Sequence, residues 1–210
     1  MIKILIEEIK EIKEKDEEKE KKINILEDKY NELKEKINEI DDYKKDKYKD
    51  EIHLKDITEK EGNYNIFGER FVEANKNNIE LNINGKKINL ISKYKLRKGE
   101  NNIIFKIKNK ITELKYMFHE CKSLYNIKEL RFLKTQYCNN FESMFNGCSS
   151  LKNIKGLENW DISNANNLSG MFLGCTSLSN IKGLEKWNIS NVNNYEYMFL
   201  GCTSLSDNEI

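Results

Sequence analysis

The sequence predicts an α+β repeat protein, with an N-terminal coiled-coil helix, a small β-rich capping module and a short solenoid built from 27-residue rungs, each of one short helix and one strand. Three observations predict it. Apolar residues recur at heptad spacing over residues 2–43, alternating apolar residues flank Asn84-Gly85, and a Met-Phe pair returns every 27 residues from Met117 onward. The expected domains are therefore residues 1–43 (coiled-coil helix), 44–64 (linker and short strand), 65–110 (cap module with a β-hairpin) and 111–210 (solenoid of just over three units, truncated at its C-terminus).

The heptad places Ile2, Ile9, Asp16, Ile23, Tyr30 and Ile37 at one seam position and Leu5, Ile12, Lys19, Leu26, Leu33 and Ile40 at the other, so ten of twelve seam residues are apolar. In a parallel homodimer the flanking pairs would be Glu8–Lys13, Lys15–Glu20, Lys22–Glu27, Lys29–Lys34 and Lys36–Asp41, of which four attract. A homodimer through residues 2–43 is the expected assembly, with a trimer left open by the mixture of Ile and Leu at the second position. A single solvated charged helix is the alternative. Past Tyr43 the periodicity fails among charges, and a short strand is expected near Ile52 to Ile57.

In the cap module Ile79, Leu81 and Ile83 alternate before Asn84-Gly85, and Ile88 and Leu90 follow it, a strong short-range hairpin signal. A further strand with Ile103, Phe105 and Ile107 on one face is expected after Gly99, and "IFGERFVEANKNN" reads as a short helical turn. About fifty residues make a marginal core, so this sheet is expected to dock on the repeat that follows.

Within the repeat, the structural positions recur in phase. They are Met117, Phe118, Cys121 and Leu124; Met144, Phe145, Cys148 and Leu151; Met171, Phe172, Cys175 and Leu178; and Met198, Phe199, Cys202 and Leu205. Spacing such as Val192, Tyr195, Met198 and Phe199 predicts a helix face, capped by Ser190-Asn191 and ended by Gly201. The return segment, "SLKNIKGLENWDI", predicts a strand with Leu151, Ile154, Leu157, Trp160 and Ile162 inward. Because each rung buries its apolar side only against a neighbour, and the array stops within a fourth unit, either the array was once longer or its last rung is covered by a partner.

The consensus MF-x-G-C-[ST]-S-L-x-x-I-x-G-L-x-x-W-[DN]-I-S-N-[VA]-x-N in residues 144–198 resembles the BspA-like leucine-rich repeat surface proteins, including the repeat shared with mycoplasma-type lipoproteins and abundant in some protists. The resemblance covers about residues 111–205. It is extended by "NIFGERFVEANKNNIELNINGKKINLI", which is similar to the leader before such repeats in protist members. What it implies is a leucine-rich-repeat solenoid used for binding, with surface adhesion as the family's role and an open concave strand face as the binding surface.

Composition narrows the function classes. The basic residues are 33 Lys against 3 Arg at a net charge of +1, which suits solubility better than phosphate readout, so no nucleic-acid partner is expected. No apolar run is long enough to span a bilayer, and the start lacks signal-peptide character, so the chain as written is expected to be cytoplasmic, the cell surface being the alternative the resemblance implies. The four in-phase cysteines and Cys138 are expected to be reduced packing thiols, since a line of equivalent side chains neither converges on a metal nor faces itself for a disulfide. Asn167 and Asn188 stand in glycosylation sequons but also where caps and turns need them. No catalytic, cofactor-binding or metal-binding residues are expected, and the chain reads as a non-enzymatic, coiled-coil-oligomerised scaffold for protein partners. Its candidate binding column is Lys128, Lys155 and Lys182, which share a phase, with Tyr125, Asn126, Asn153 and Asn180. A longer exported adhesin and a truncated gene fragment are the alternatives.

Overall fold

A computed structural model of the chain describes residues 17–47 and 51–206. They fall into two compact units divided between residues 49 and 50. The first holds α1, Glu17–Lys47, a 31-residue helix. Its seam residues Ile23, Leu26, Tyr30 and Leu33 are half-buried, and Ile37 and Ile40 are exposed. The earlier seam residues, Ile2 to Asp16, lie outside the described residues. What the structure supports in this region is a helix; a coiled coil would need a second helix along the seam.

The second unit begins with strands that follow from alternation. They are β1 (Glu51–Thr58), β2 (Gly62–Asn65), β3 (Ile79–Ile83), β4 (Lys86–Ile88), β5 (Lys93–Leu96) and β6 (Gly99–Ile107), with the one-turn-plus helix α2 (Glu69–Asn75) between β2 and β3. With β7 (Leu124–Asn126) they make a five-stranded antiparallel sheet in the order β4-β3-β6-β1-β7, while β2 and β5 pair separately. Asn84 and Gly85 both take positive φ, 52° and 86°, so the hairpin closes through the turn whose twist matches its strands. Ile52, Leu54, Ile79, Leu81, Ile83, Ile103 and Phe105 are buried on one face. The buried Asn101 side chain is satisfied where its strand begins: Nδ2 donates to the carbonyls of Arg97 (2.9 Å) and Gly99 (3.0 Å), and Oδ1 accepts from Asn84 Nδ2 (2.8 Å).

The repeat region corrects the predicted fold class. The described part of residues 111–210 has no α-helix, and no helix-and-strand leucine-rich-repeat solenoid forms. Its regular elements are β7, which pairs antiparallel with β1, and two 3₁₀ segments, η1 (Lys128–Phe132) and η2 (Leu184–Lys186). Among the described residues of the second unit, regular structure is mostly antiparallel sheet. Spacings of three, read as a helix face, arise instead from consecutive turns: Met117 N–H donates to the Leu114 carbonyl, His119 to Tyr116, Cys121 to Phe118 and Leu124 to Cys121. Residues with left-handed φ recur among these turns, at Tyr116 and Glu120, Ser143 and Gly147, Gly170 and Gly174, and Tyr197 and Gly201. A left-handed residue twice per segment breaks the run of αR dihedrals that a helix requires. The intervening N–H groups then point along the array. Leu114, Tyr116, Phe118 and Glu120 donate to carbonyls of Asn140, Glu142, Met144 and Asn146 at 2.7–2.9 Å. The next two units repeat those four bonds, ending with Leu168, Gly170, Phe172 and Gly174 on Asn194, Glu196, Met198 and Leu200.

Side chains follow the same period. Phe67, Phe118, Phe145, Phe172 and Phe199 stack with ring centroids 5.5–5.6 Å apart, carrying one aromatic column from the strand module through every unit. Each contact adds about 1 kcal/mol to plain burial. Trp187 stacks on Trp160, and their Nε1 groups donate to the carbonyls of Leu157 and Leu130, both at 2.8 Å. The core is therefore continuous from β3 to Trp187.

Candidate partner-binding surface

Three in-phase turns position the candidate side chains. Asn126 Oδ1 accepts from the Lys128 N–H at 3.0 Å, Asn153 Oδ1 from Lys155 at 3.1 Å and Asn180 Oδ1 from Lys182 at 2.9 Å. A short polar side chain that binds its own backbone two residues on makes a local turn, and here it fixes the backbone that carries each lysine. The three asparagine oxygens are thus committed to shaping the surface.

The structure brings the second and third of these turns together. Asn153 and Asn180 form a parallel bridge, Ser179 N–H donates to the Lys152 carbonyl at 3.0 Å, and Lys155 and Lys182 are exposed. The first turn is drawn aside, because Asn126 ends β7 and pairs with Lys55 of β1, leaving Tyr125 and Lys128 half-buried. Contact with the second unit persists at the Lys128 backbone. A Cβ on Gly156 would lie 2.5 Å from the Lys128 carbonyl oxygen, so the residue after Lys155 must be small.

The acids that alternate with these lysines are turned back on the chain. Glu158 and Glu185 accept from the N–H groups of Gly156 and Gly183, and Glu129 pairs with Arg131 at 3.5 Å. Bonds from its own backbone and from Gly183 hold the Glu185 carboxyl below its ordinary range. Among the described residues, Lys155 and Lys182 make no salt bridge. The arrangement offers cations on a fixed backbone, suited to carboxylates or carbonyls of a partner.

The four in-phase cysteines form a column with a structural task, and Cys138 lies outside it. All five are free and buried. Cys148, Cys175 and Cys202 donate from Sγ to the carbonyls of Phe118, Phe145 and Phe172, each at 3.1 Å, tying unit to unit. Burial pushes the Cys175 and Cys138 thiols up to about 12 and also raises Cys121, Cys148 and Cys202, so none is a thiolate near neutrality. The other repeat positions, Met117, Phe118, Leu124, Met144, Phe145, Leu151, Met171, Phe172 and Leu178, are buried, while Met198, Phe199 and Leu205 are only partly so. Among the described residues no cluster of three or more His, Cys, Asp or Glu could hold a metal ion.

Sequence reasoning missed a groove of about 450 Å³ between the end of β6 and residues 132–138. Ile107, Ile111 and Phe132 line it together with Lys106 and Lys134, and Lys110 Nζ lies 4.2 Å from the Tyr137 ring centre. Its lining also takes in Glu51 and Ile52 at the start of β1, distant in sequence from Cys138, and only the sheet topology assembles them.

No described helix is long and apolar enough to cross a membrane. Residues 93–210 match the family described as "Mycoplasma protein of unknown function, DUF285". This shows the coarser, mycoplasma-type half of the resemblance seen in the consensus and not its BspA-like half. No curated protein and no solved structure matches the chain.

Proposed function

Starting from a chain that belongs to the DUF285 family through residues 93–210, we propose that it is a non-enzymatic scaffold whose repeat surface binds protein partners. The observation that carries this reading is the recurrence of one asparagine-shaped turn at Lys128, Lys155 and Lys182, which holds Lys155 and Lys182 exposed on adjacent units, with neighbouring acids folded back onto backbone amides. The buried, protonated thiols support a packing role for the side chains that most resemble chemistry. Homodimerisation through residues 2–43 would present two such surfaces and raise weak single-site affinity through effective concentration. The apolar stripe of α1, ending in exposed Ile37 and Ile40, supports it. A cell-surface setting accords with the resemblance of the repeat better than the cytoplasmic one expected from the start of the chain, and an adhesive role is the variant of the proposal that fits there.

The test is a pull-down with the full chain, wild type against Lys128→Glu/Lys155→Glu/Lys182→Glu. Loss of bound proteins in the triple variant, with an unchanged circular dichroism spectrum, is the expected result; an identical set of partners rejects the lysine surface. Sedimentation equilibrium with and without residues 1–43 tests the dimer, which a monomeric full chain rejects.

A further inference from the structure

The groove at the end of β6 has no part in the lysine surface proposed above. Its apolar lining combines Ile52, Leu114 and Leu133, which are buried, with Ile107, Ile111 and Phe132, which pack against the core yet stay partly exposed. Its volume of about 450 Å³ falls within the range of roughly 300–1,000 Å³ usual for small-molecule pockets.

The charged part of the lining is one-sided. Lys106, Lys108, Lys110 and Lys134 contribute to it against a single carboxylate, Glu51. Lys108 pairs with Glu80 at 3.2 Å, and Glu51, opposite Lys106 in the ladder, lies 3.4 Å from His53 Nε2. Among the described residues Lys106 and Lys110 make no salt bridge, and Lys110 is held at the Tyr137 ring. A lysine stem covers apolar surface while its ammonium stays in water, so the groove offers a continuous apolar surface with cations beside it.

The backbone selects against a peptide. β6 lies between β3 and β1, so it presents no free edge to the groove. The N–H groups of Lys108, Asn109, Leu133 and Cys138 are already committed within the chain, to Asn78 O, Asn78 Oδ1, Leu130 O and Thr135 O at 2.8–3.0 Å. An extended segment gains its affinity from main-chain hydrogen bonds, and these four donors are taken. A ligand with an apolar body and one anionic group needs none of them. We infer that the groove is a binding site for a free amphiphilic carboxylate of fatty-acid type, its aliphatic chain against Ile107, Ile111 and Phe132 and its carboxylate paired with the lysines of the lining.

Isoleucine-methyl NMR of the full chain, titrated with decanoate, tests this at a pH of about 8, where the probe is ionised. Saturable shifts are expected at Ile52, Ile107 and Ile111, with Ile154 and Ile162 of the array unmoved. Octanoate, two methylenes shorter, binds about ten-fold more weakly. Lys106→Gln/Lys110→Gln weakens decanoate binding by about five-fold or more with an unchanged circular dichroism spectrum, and decanol binds the wild type more weakly by a similar factor. Lys155→Glu/Lys182→Glu binds decanoate as wild type does, so failure of either surface leaves the other standing. Absence of shifts at millimolar decanoate overturns the inference, as does equal affinity for decanol or an affinity that the glutamine pair leaves unchanged. Contacts from residues 1–49 or from a second copy to the Ile107 and Ile111 methyls of the free protein also overturn it, since protein would then fill the groove. So does sedimentation with phosphatidylglycerol vesicles that the glutamine pair removes, without binding of free decanoate, which would assign the groove to a membrane surface.

Discussion

Replacing Asp56 with Asn is expected to stabilise the protein above neutrality and to erase a pH dependence. Asp56 lies on the inward face of β1, at the irregularity where β1 pairs with β7, and is 2% exposed. Ser123 Oγ donates to its Oδ2 at 2.9 Å, and Oδ1 receives no hydrogen bond. Burial raises the carboxyl from 3.8 to about 6, the Ser123 bond opposing the rise. With the folded value above the unfolded one, the native state binds the extra proton between about pH 4 and 6, so stability falls as pH rises through that window. At 1.36 kcal/mol per unit, the two-unit interval costs about 3 kcal/mol once pH exceeds the folded value. An uncharged amide of the same shape avoids the ionisation cost but leaves some of its own polarity unpaired, so a gain of about 1–3 kcal/mol at about pH 7.5 is expected. Urea unfolding of both proteins at intervals from about pH 4 to 7.5 measures the difference, in which the titration of shared surface carboxylates cancels. The variant should match or fall below wild type at the acid end and exceed it at the other. Parallel stability profiles, or a variant less stable at the high end, would refute the reasoning.

Other expectations follow from single contacts. Gly156→Ala would drive a Cβ against the Lys128 backbone at a φ of 109°, and a loss of at least about 2 kcal/mol in chemical denaturation is expected. Trp187→Phe removes the indole donor to the Leu157 carbonyl and should cost about 1–2 kcal/mol; an unchanged unfolding midpoint would contradict the bond. A thiol reagent under native conditions should reach Cys202, whose burial is the least complete in the column, well before Cys148, which should react only through unfolding. Equal fast labelling of all five cysteines would show that the column is not buried.

The sequence made the long-range order of the repeat legible and its local conformation much less so. Phase alone selects Met117, Cys148 and Phe172 for the interior, because equivalent positions meet equivalent neighbours whatever the backbone does between them. Spacing of three is shared by a helix and by a chain of turns, and Tyr195, placed inward on a helix face, stands exposed. The discriminating signal was present at Gly170 and Gly174, left-handed glycines four residues apart within a supposed helix. Ser143 and Tyr116 hold the first of these two positions in earlier units without being glycine, and there the signal disappears. In the strand module the Asn84-Gly85 turn and the alternation of Ile79, Leu81 and Ile83 before it were readable, being local, while the strand after the turn ends at Ile88, short of Leu90. The pairing of β7 with β1 joins residues seventy positions apart and left no mark on either segment. At the lysine surface the shared phase was visible, whereas the removal of the first turn toward β1 was not.

The tie between one unit and the next also bears on how such a chain can change over generations. Every seam uses the same four amides, the same phenylalanine and the same thiol, so a unit meets an equivalent neighbour wherever in the series it stands. Duplicating or deleting 27 codons inside the array would leave each remaining seam intact, while a gain or loss of any other length would set side chains against backbone donors. Selection on folding therefore leaves copy number free to drift and holds the reading period fixed. The identity of "MFLGCTSL" at residues 171–178 and 198–205 is what a recent duplication of that kind would leave behind.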